Sequence, residues 1–413
     1  MHVNNIQFFC ILLVLVTLAS CATNDSSFYS DGDYDSLDTD HIDHELVYAD
    51  EHINDDKDEP IGKIEIVHPA PKSLGCERVD AADGRSPNVF YINQRWYVTY
   101  SEWSEEFPWL YVRSRGVNDD SWSEPETVAY GVSEATMSAD GDTLLLMAVR
   151  QFYKVEFSKT PGDDNWIEGS KIPNEKTYIC DGYEPAHYLT GKDGHNWVVT
   201  SFDYNTGIFG CTTNVWLAHR NESGFDEPKQ IGNGEAVGGV LNGSNMLLAG
   251  VHMYLSENGG ETFSKLKGGD KTNDQIRGEG LAQSESKILA IQTYNYANKQ
   301  NLVILESEDF GKSWPVKLIV KQDTLHTYKP KLSADGKDVV AAWFEQNSPT
   351  VQLITSPDGG EKWSATLELA PDPNVSVAQD HLSLAMNGKR IAVGVNLLNQ
   401  ETGEREAWVC FVE

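Results

Sequence analysis

The sequence predicts an all-β fold, a seven-bladed β-propeller over residues 61–413, and three observations carry that expectation. No stretch beyond Ile61 has the apolar spacing of a long amphipathic helix; short apolar or alternating runs bounded by Gly, Asn, Asp and Pro recur instead. One such run returns seven times, at intervals of 42 to 53 residues. An octapeptide of the form Ser-x-Asp-x-Gly-x-x-Trp also recurs at a fixed place in the cycle. Four antiparallel strands repeated at this period are the mark of a propeller, whose sheets bury their faces against one another in a ring.

The recurring run reads RWYVTYSE from Arg95, TLLLMAVR from Thr143, NWVVTSFD from Asn196, NMLLAGVH from Asn245, KILAIQTY from Lys287, DVVAAWFE from Asp338 and RIAVGVNL from Arg390. Most copies follow a turn such as SADG, TGKDG or MNGK, with a weaker strand before it, so this run is the second strand of each blade. A third strand follows each: WLYVRS, FYKVEFS, VWLAHR, HMYLS, LVILES, VQLITS and AWVCFVE. The last unit stops at Glu413 without a fourth strand, and KIEIVHP (Lys63–Pro69) is expected to supply it and close the ring. A six-bladed ring results instead if the short unit from Gly232 to Lys267 is an insertion.

The octapeptides SEDFGKSW (Ser307, Asp309, Gly311, Trp314) and SPDGGEKW (Ser356, Asp358, Gly360, Trp363) sit just after third strands; SENGGETF, from Ser256, is a weaker copy. The turn into the fourth strand needs a side chain to bond free backbone N–H groups, which Asp309 and Asp358 provide. It also needs a residue at positive φ, Gly311 or Gly360, and an aromatic ring to fold back over it. This pattern resembles the Asp-box, or bacterial neuraminidase repeat, of the sialidase superfamily. In that family the box lies away from the catalytic face, so it is a structural element.

The face opposite these turns would carry any site, because first strands begin there and second strands turn into third. First-strand starts fall at Arg85, Glu134, Glu184, Glu235, Arg277, Tyr328 and Asp380; the hairpins add Trp103, Trp109, Arg150, residues 203–214, Tyr294 and Tyr296. Arg85-Ser86-Pro87 resembles the family's Phe-Arg-Ile-Pro motif, whose arginine holds a substrate carboxylate. Glu184-Pro185 is similar to the segment carrying the glutamate that polarises a tyrosine nucleophile, and Tyr328 to the segment carrying that tyrosine. The resemblance implies Tyr328 and Glu184 as the catalytic pair. Arg85, Arg150, Arg277, His187, Trp103 and Trp109 would bind ligand. The sequence also departs from the family: Gly-Arg-Ser-Pro replaces Phe-Arg-Ile-Pro, only Arg85 among the arginines has a motif, and sialidases have six blades. These departures argue against an active sialidase. A propeller polysaccharide lyase is equally compatible, with His187 or Tyr328 as base and Arg277 facing a uronate.

His187, His195, His219, His252, His326 and His381 show no metal-ligand spacing, so neither metal nor cofactor is expected. Cys180 and Cys211 fall on one face of the third unit and form a candidate disulfide in an oxidising compartment. Cys410 is expected as a buried thiol, and Cys76 is left open.

The N-terminus reads MHVNNIQFFCILLVLVTLASC. Its apolar core, Ile6–Leu18, suits a signal peptide and is too short to span a bilayer comfortably. Leu18-Ala19-Ser20-Cys21 resembles a bacterial lipobox, which implies a signal over 1–20 and lipidation at Cys21; Ala22 after it looks like outer-membrane sorting. An ordinary secretory cleavage nearby is the other reading, since the segment before the apolar core lacks Lys and Arg. Residues 21–60 form an acidic stretch with fourteen acids and one lysine, a large part of the net charge of −31, and read as a solvated tether. That charge disfavours nucleic acid and anionic membrane as partners. The expected partner is an external glycan, bound or processed by a glycoside hydrolase or polysaccharide lyase; the competing reading is a non-catalytic scaffold for an envelope protein. Membrane contact is expected through the lipid anchor alone.

Overall fold

The computed structural model describes residues 66–80, 83–103, 106–150, 153–172, 186–191, 194–205, 211–250, 252–266, 280–296, 299–321, 327–345, 348, 350–370, 376–399 and 402–413. Cys21 and the acidic stretch lie outside the described residues.

The chain is nearly all β and forms seven blades arranged as a propeller. Second strands occupy Arg95–Trp103, Thr143–Arg150, Trp197–Asn205, Asn245–Gly250, Lys287–Tyr296, Asp338–Glu345 and Arg390–Leu398. The short unit is a complete blade, with strands Ala236–Asn242, Asn245–Gly250, Tyr254–Ser256 and Ser264–Lys265 hydrogen-bonded in that order. It packs on both neighbours, so the six-bladed alternative does not hold.

The packing explains why second strands read as unbroken apolar runs. Side chains alternate across a strand, and here both faces are buried. In blade 6, Val340, Ala342 and Phe344 join the core shared with blade 7, whereas Val339, Ala341 and Trp343 join the core shared with blade 5. In blade 2, Leu146 and Ala148 face blade 1 while Leu145 and Met147 face blade 3. The seven hydrophobic clusters among the described residues correspond to the seven seams between blades.

An N-terminal strand closes the ring, but it is Ser73–Arg78, which pairs antiparallel with Arg405–Val412. KIEIVHP was the wrong segment: Ile66–His68 runs parallel to Trp363–Ser364 beside the turn of blade 6. Its length and alternation suit a strand, but the ladder to the last blade is filled by residues nearer the first blade, where the chain has less distance to cover. Lys72 and Glu413 exchange both backbone hydrogen bonds (2.7 and 2.9 Å) at the end of that ladder. Cys76 lies directly opposite Cys410, and the two form a disulfide. The expectation of a buried Cys410 thiol is thereby corrected: the closing strand, misplaced from sequence, is what brings its partner. Cys180 lies outside the described residues, and only the backbone of Cys211 is described.

On the lower face, where third strands turn into fourth, the octapeptides form a repeated hydrogen-bonded turn. Ser307 Oγ accepts from Gly311 N–H (2.6 Å) and donates to Asp309 Oδ1 (2.8 Å), which also accepts from Ser313 N–H (2.9 Å). Ser356, Asp358, Gly360 and Lys362 repeat these bonds at 2.8–2.9 Å. The glycines have φ +90° and +94° and press on Leu247 and Leu289 of the preceding blade. Trp314 and Trp363 donate their indole N–H to the glycine carbonyls and are buried. In SENGGETF, Asn258 Oδ1 takes over the aspartate's role, accepting from Ser256 Oγ and from Thr262 N–H.

Candidate functional site

The upper face is assembled from first-strand starts. In blade 1 the strand Gly84–Ile92 pairs with Arg95–Trp103, with a register shift between Arg85 and Asn88. Asp83 and Ser86 have φ +41° and +52°. With Lys329 (φ +48°) they are the described non-glycine residues at positive φ outside hairpin turns, and all three lie at upper starts of first strands. Such a backbone persists only where its surroundings hold it. Ser86 N–H donates to Asn396 Oδ1 of blade 7 (3.1 Å), and Ser86 Oγ donates to Glu134 Oε1 of blade 2 (2.8 Å). Asp83 accepts Arg405 N–H (3.2 Å) and pairs with Arg85 (3.0 Å).

Arg85, at the start of the first strand of blade 1, holds its guanidinium 5.0 Å from the centroid of the Trp103 ring. Trp103 and Trp109 stand at the mouth-side end of the blade 1 hairpin and are exposed. Arg150 has another role: it bonds Glu168 of its own blade's outer strand (2.7 Å) and sits over Phe157. Glu134 serves the seam between blades. Glu184 and Arg277 lie outside the described residues, and of Tyr328 the backbone alone is described, paired with Phe344 at the upper end of blade 6.

His187 lies on the first strand of blade 3, opposite Val199. His381 lies on the first strand of blade 7, at the register shift between Ala378 and Leu382, and its Nε2 is buried with no hydrogen-bond partner. Lys331 lies on the first strand of blade 6, opposite Ala342. Both rings keep some solvent access, yet burial pushes each imidazole down to about 3. Lys331 adds to that effect on both rings, with Lys154 acting on His187 and Lys329 on His381. His187, Lys331 and His381 all lie on first strands, which pack against one another around the inside of the ring. Both imidazoles are neutral near pH 7, and burial, the larger cause, makes them weak bases.

A tyrosine–carboxylate pair does occur among the described residues, but in a seam: Tyr188 donates to Glu156 (3.0 Å), which also binds Arg220. Burial, then the carboxylate, hold the Tyr188 phenol well above its ordinary range, which suits a lock between blades and opposes nucleophilic use.

Sequence reasoning passed over Lys331, Lys329 and Lys154, and treated the histidines as scattered. A signal was present in TYKPKLSADG: Lys329 and Lys331 share a first strand with Tyr328, and first strands line the channel. His187 and His381 are 194 positions apart in the chain, so only ring closure places their first strands around one interior.

Among solved structures the chain is similar to a sialidase from Trypanosoma rangeli in complex with the inhibitor DANA, at 12% identity and TM-score 0.41, covering 85% of this chain and 58% of that one. It is similar to a mutant NanB sialidase from Streptococcus pneumoniae at 11% identity and TM-score 0.43, covering 86% and 72%. With polysaccharide lyase Uly1 the identity is 8% and the TM-score 0.51, covering 81% and 91%. The structural neighbours are thus sialidases and polysaccharide lyases, and at these identities the likeness is one of fold. The chain spans less than two thirds of the Trypanosoma sialidase. No family model matches it, nor does any curated protein.

Proposed function

We propose that this propeller takes an external, carboxylate-bearing glycan into the upper mouth of its channel, and that its chemistry is that of a lyase. The observation that carries the reading is that His187, Lys331 and His381 lie on the first strands of blades 3, 6 and 7, which pack around the inside of one ring, with Lys331 adding to burial in lowering both imidazoles. A uronate carboxylate placed at Lys331 would have its charge neutralised, making the proton on the adjacent carbon easier to remove. It would also cancel part of the lysine field and raise the pKa of the neighbouring imidazole, so that the base strengthens as the substrate arrives. The imidazole takes that proton, the electron pair forms the new C=C bond, and the glycosidic C–O bond breaks with its oxygen taking a proton from solvent water, to which the imidazolium later returns its own. The Uly1 likeness supports the fold side of this reading. With a net charge of −31 the long-range field opposes an acidic ligand, so attraction must come from this local cluster within about 10 Å, a Debye length.

The test is to incubate the purified protein with uronate polysaccharides, sialosides and neutral glycans, following unsaturated product by its ultraviolet absorbance. Lys331→Met is expected to lower turnover of the uronate polymer by about a hundredfold or more, the range for a lost electrostatic stabiliser. No turnover and no binding on any of the three classes would leave the scaffold reading in its place.

The location belongs to the same proposal: the protein sits outside the cytoplasm, lipid-anchored at Cys21, with the turns read as Asp-boxes. Leu18-Ala19-Ser20-Cys21 supports the anchor, and a disulfide closing the ring suits an oxidising compartment. Cys21→Ser is expected to move the protein from the membrane fraction to the soluble fraction.

A further inference from the structure

We infer that blade 1 carries a second glycan subsite, an aromatic corner beside the channel mouth that holds polymer without taking part in the chemistry. The four exposed aromatic side chains among the described residues, Trp103, Phe107, Trp109 and Tyr130, all belong to this blade. They come together because the register places Trp103 opposite Pro108 and Trp109 opposite Tyr130, at the mouth-side ends of three strands. Tyr130 is the hinge of the corner: Trp109 is tilted 47° to it at 4.7 Å between centroids, and Phe107 stands at 89° to it at 5.8 Å. The rings meet edge to face or tilted, so each keeps part of its surface in water. Each of the three remains 38–41% exposed, where aromatic side chains are ordinarily covered.

The chemistry suits a sugar. A pyranose presents a flat C–H face that stacks on an aromatic ring and a belt of hydroxyls that bonds the polar groups around it. Here the surround is polar and of both signs, with Glu106 exposed and Arg85 over Trp103. Aromatic rings with an arginine also occur at protein interfaces, so what favours a sugar here is the corner's place on the mouth side of the same blade. Arg85 connects the corner to the mouth, since it begins the first strand of the same blade and stacks on Trp103. A chain lying in the corner is therefore delivered toward the channel. This inference rests on the glycan reading proposed above, and it names a place for sugar units remote from the bond being broken.

The test is affinity electrophoresis of the full chain through native gels containing polygalacturonate, chondroitin sulfate or xylan, beside turnover of trigalacturonate, an oligosaccharide too short to fill both places. Phe107→Ala/Tyr130→Ala is expected to lose at least about tenfold in retention by a polymer that retards the wild type, in line with loss of paired aromatic anchors. The same variant should leave trigalacturonate turnover within twofold. Phe107→Ala alone, in a bend outside the strands, is a second probe least able to disturb folding, and unchanged thermal midpoints accompany both. Equal retention of variants and wild type overturns the corner, as does a wild type that no polymer retards. Loss of a self-association or protein contact in the variants, with retention unaltered, would make it a protein-docking surface and also overturn the inference. The two readings fail separately: Lys331→Met without effect on turnover sinks the channel site and leaves retention intact, whereas unchanged retention in the corner variants sinks the corner and leaves turnover intact.

Discussion

The two faces of the ring are built on different scales of sequence separation. On the lower face, the bonds that define a turn join residues two to four apart, such as Ser307 to Asp309 and Gly311 to Ser307. On the upper face, Ser86 bonds a residue 48 positions away and another 310 away, and Ser383 bonds Pro87 across 296 positions. The lower face is therefore a set of independent local solutions, repeated with little change. The upper face exists only once the ring has closed, and each blade adds something different to it. Repetition serves stability on one side, and its absence permits a site on the other.

The contrast is tested most severely where a long-range bond does structural work. Cys76 and Cys410 are 334 residues apart and staple the closing strand. Cys76→Ser is expected to cost about 3–5 kcal/mol of unfolding free energy, and reduction of the wild type a similar amount, by urea denaturation with and without reductant. If the midpoint does not move, the backbone ladder alone closes the ring, and long-range bonds matter only at the mouth.

A smaller effect is expected from a turn. Ser356→Ala removes the acceptor of Gly360 N–H and the donor to Asp358, in a buried setting, at about 1–3 kcal/mol. Denaturation should register that loss while glycan turnover remains at the wild-type level at 25 °C. A fall in turnover matching the loss in stability would show that the faces are coupled, against the contrast drawn above.

The third test concerns pH. His187 and His381 titrate near 6.5 in an unfolded chain and at about 3 in the fold, chiefly through burial and then through the lysines around them. Between those values the unfolded chain binds more protons, so their contribution is fully present above pH 6.5 and is lost as pH falls toward 3. The expected slope is about 3 kcal/mol per pH unit for the two rings together once pH is well below 6. His381→Asn should about halve it, and an unchanged slope would place the acid sensitivity in carboxylates. Asp309 contributes less: burial alone would raise its carboxyl, but bonds from Ser313 and Ser307 outweigh that and hold it below its ordinary value. The turn of blade 5 is thus expected to loosen as pH falls through that depressed value.

The sequence by itself determined the repeat and the turns, and it counted seven units while leaving a six-bladed ring open. Strands buried on both faces write an unbroken apolar run into the chain, and a turn held by bonds between near neighbours must spell itself out locally. TLLLMAVR and DVVAAWFE match their strands residue for residue, and the roles of Asp309, Gly311 and Trp314 follow from spacing alone. Tertiary structure alone decided which segment closes the ring, that Cys410 has a partner, that Arg150 turns to Glu168, and that the first strands carrying His187, Lys331 and His381 line one ring. Each of these depends on contacts between residues far apart in the chain, and periodicity carries no information about which distant strands a closed ring makes neighbours.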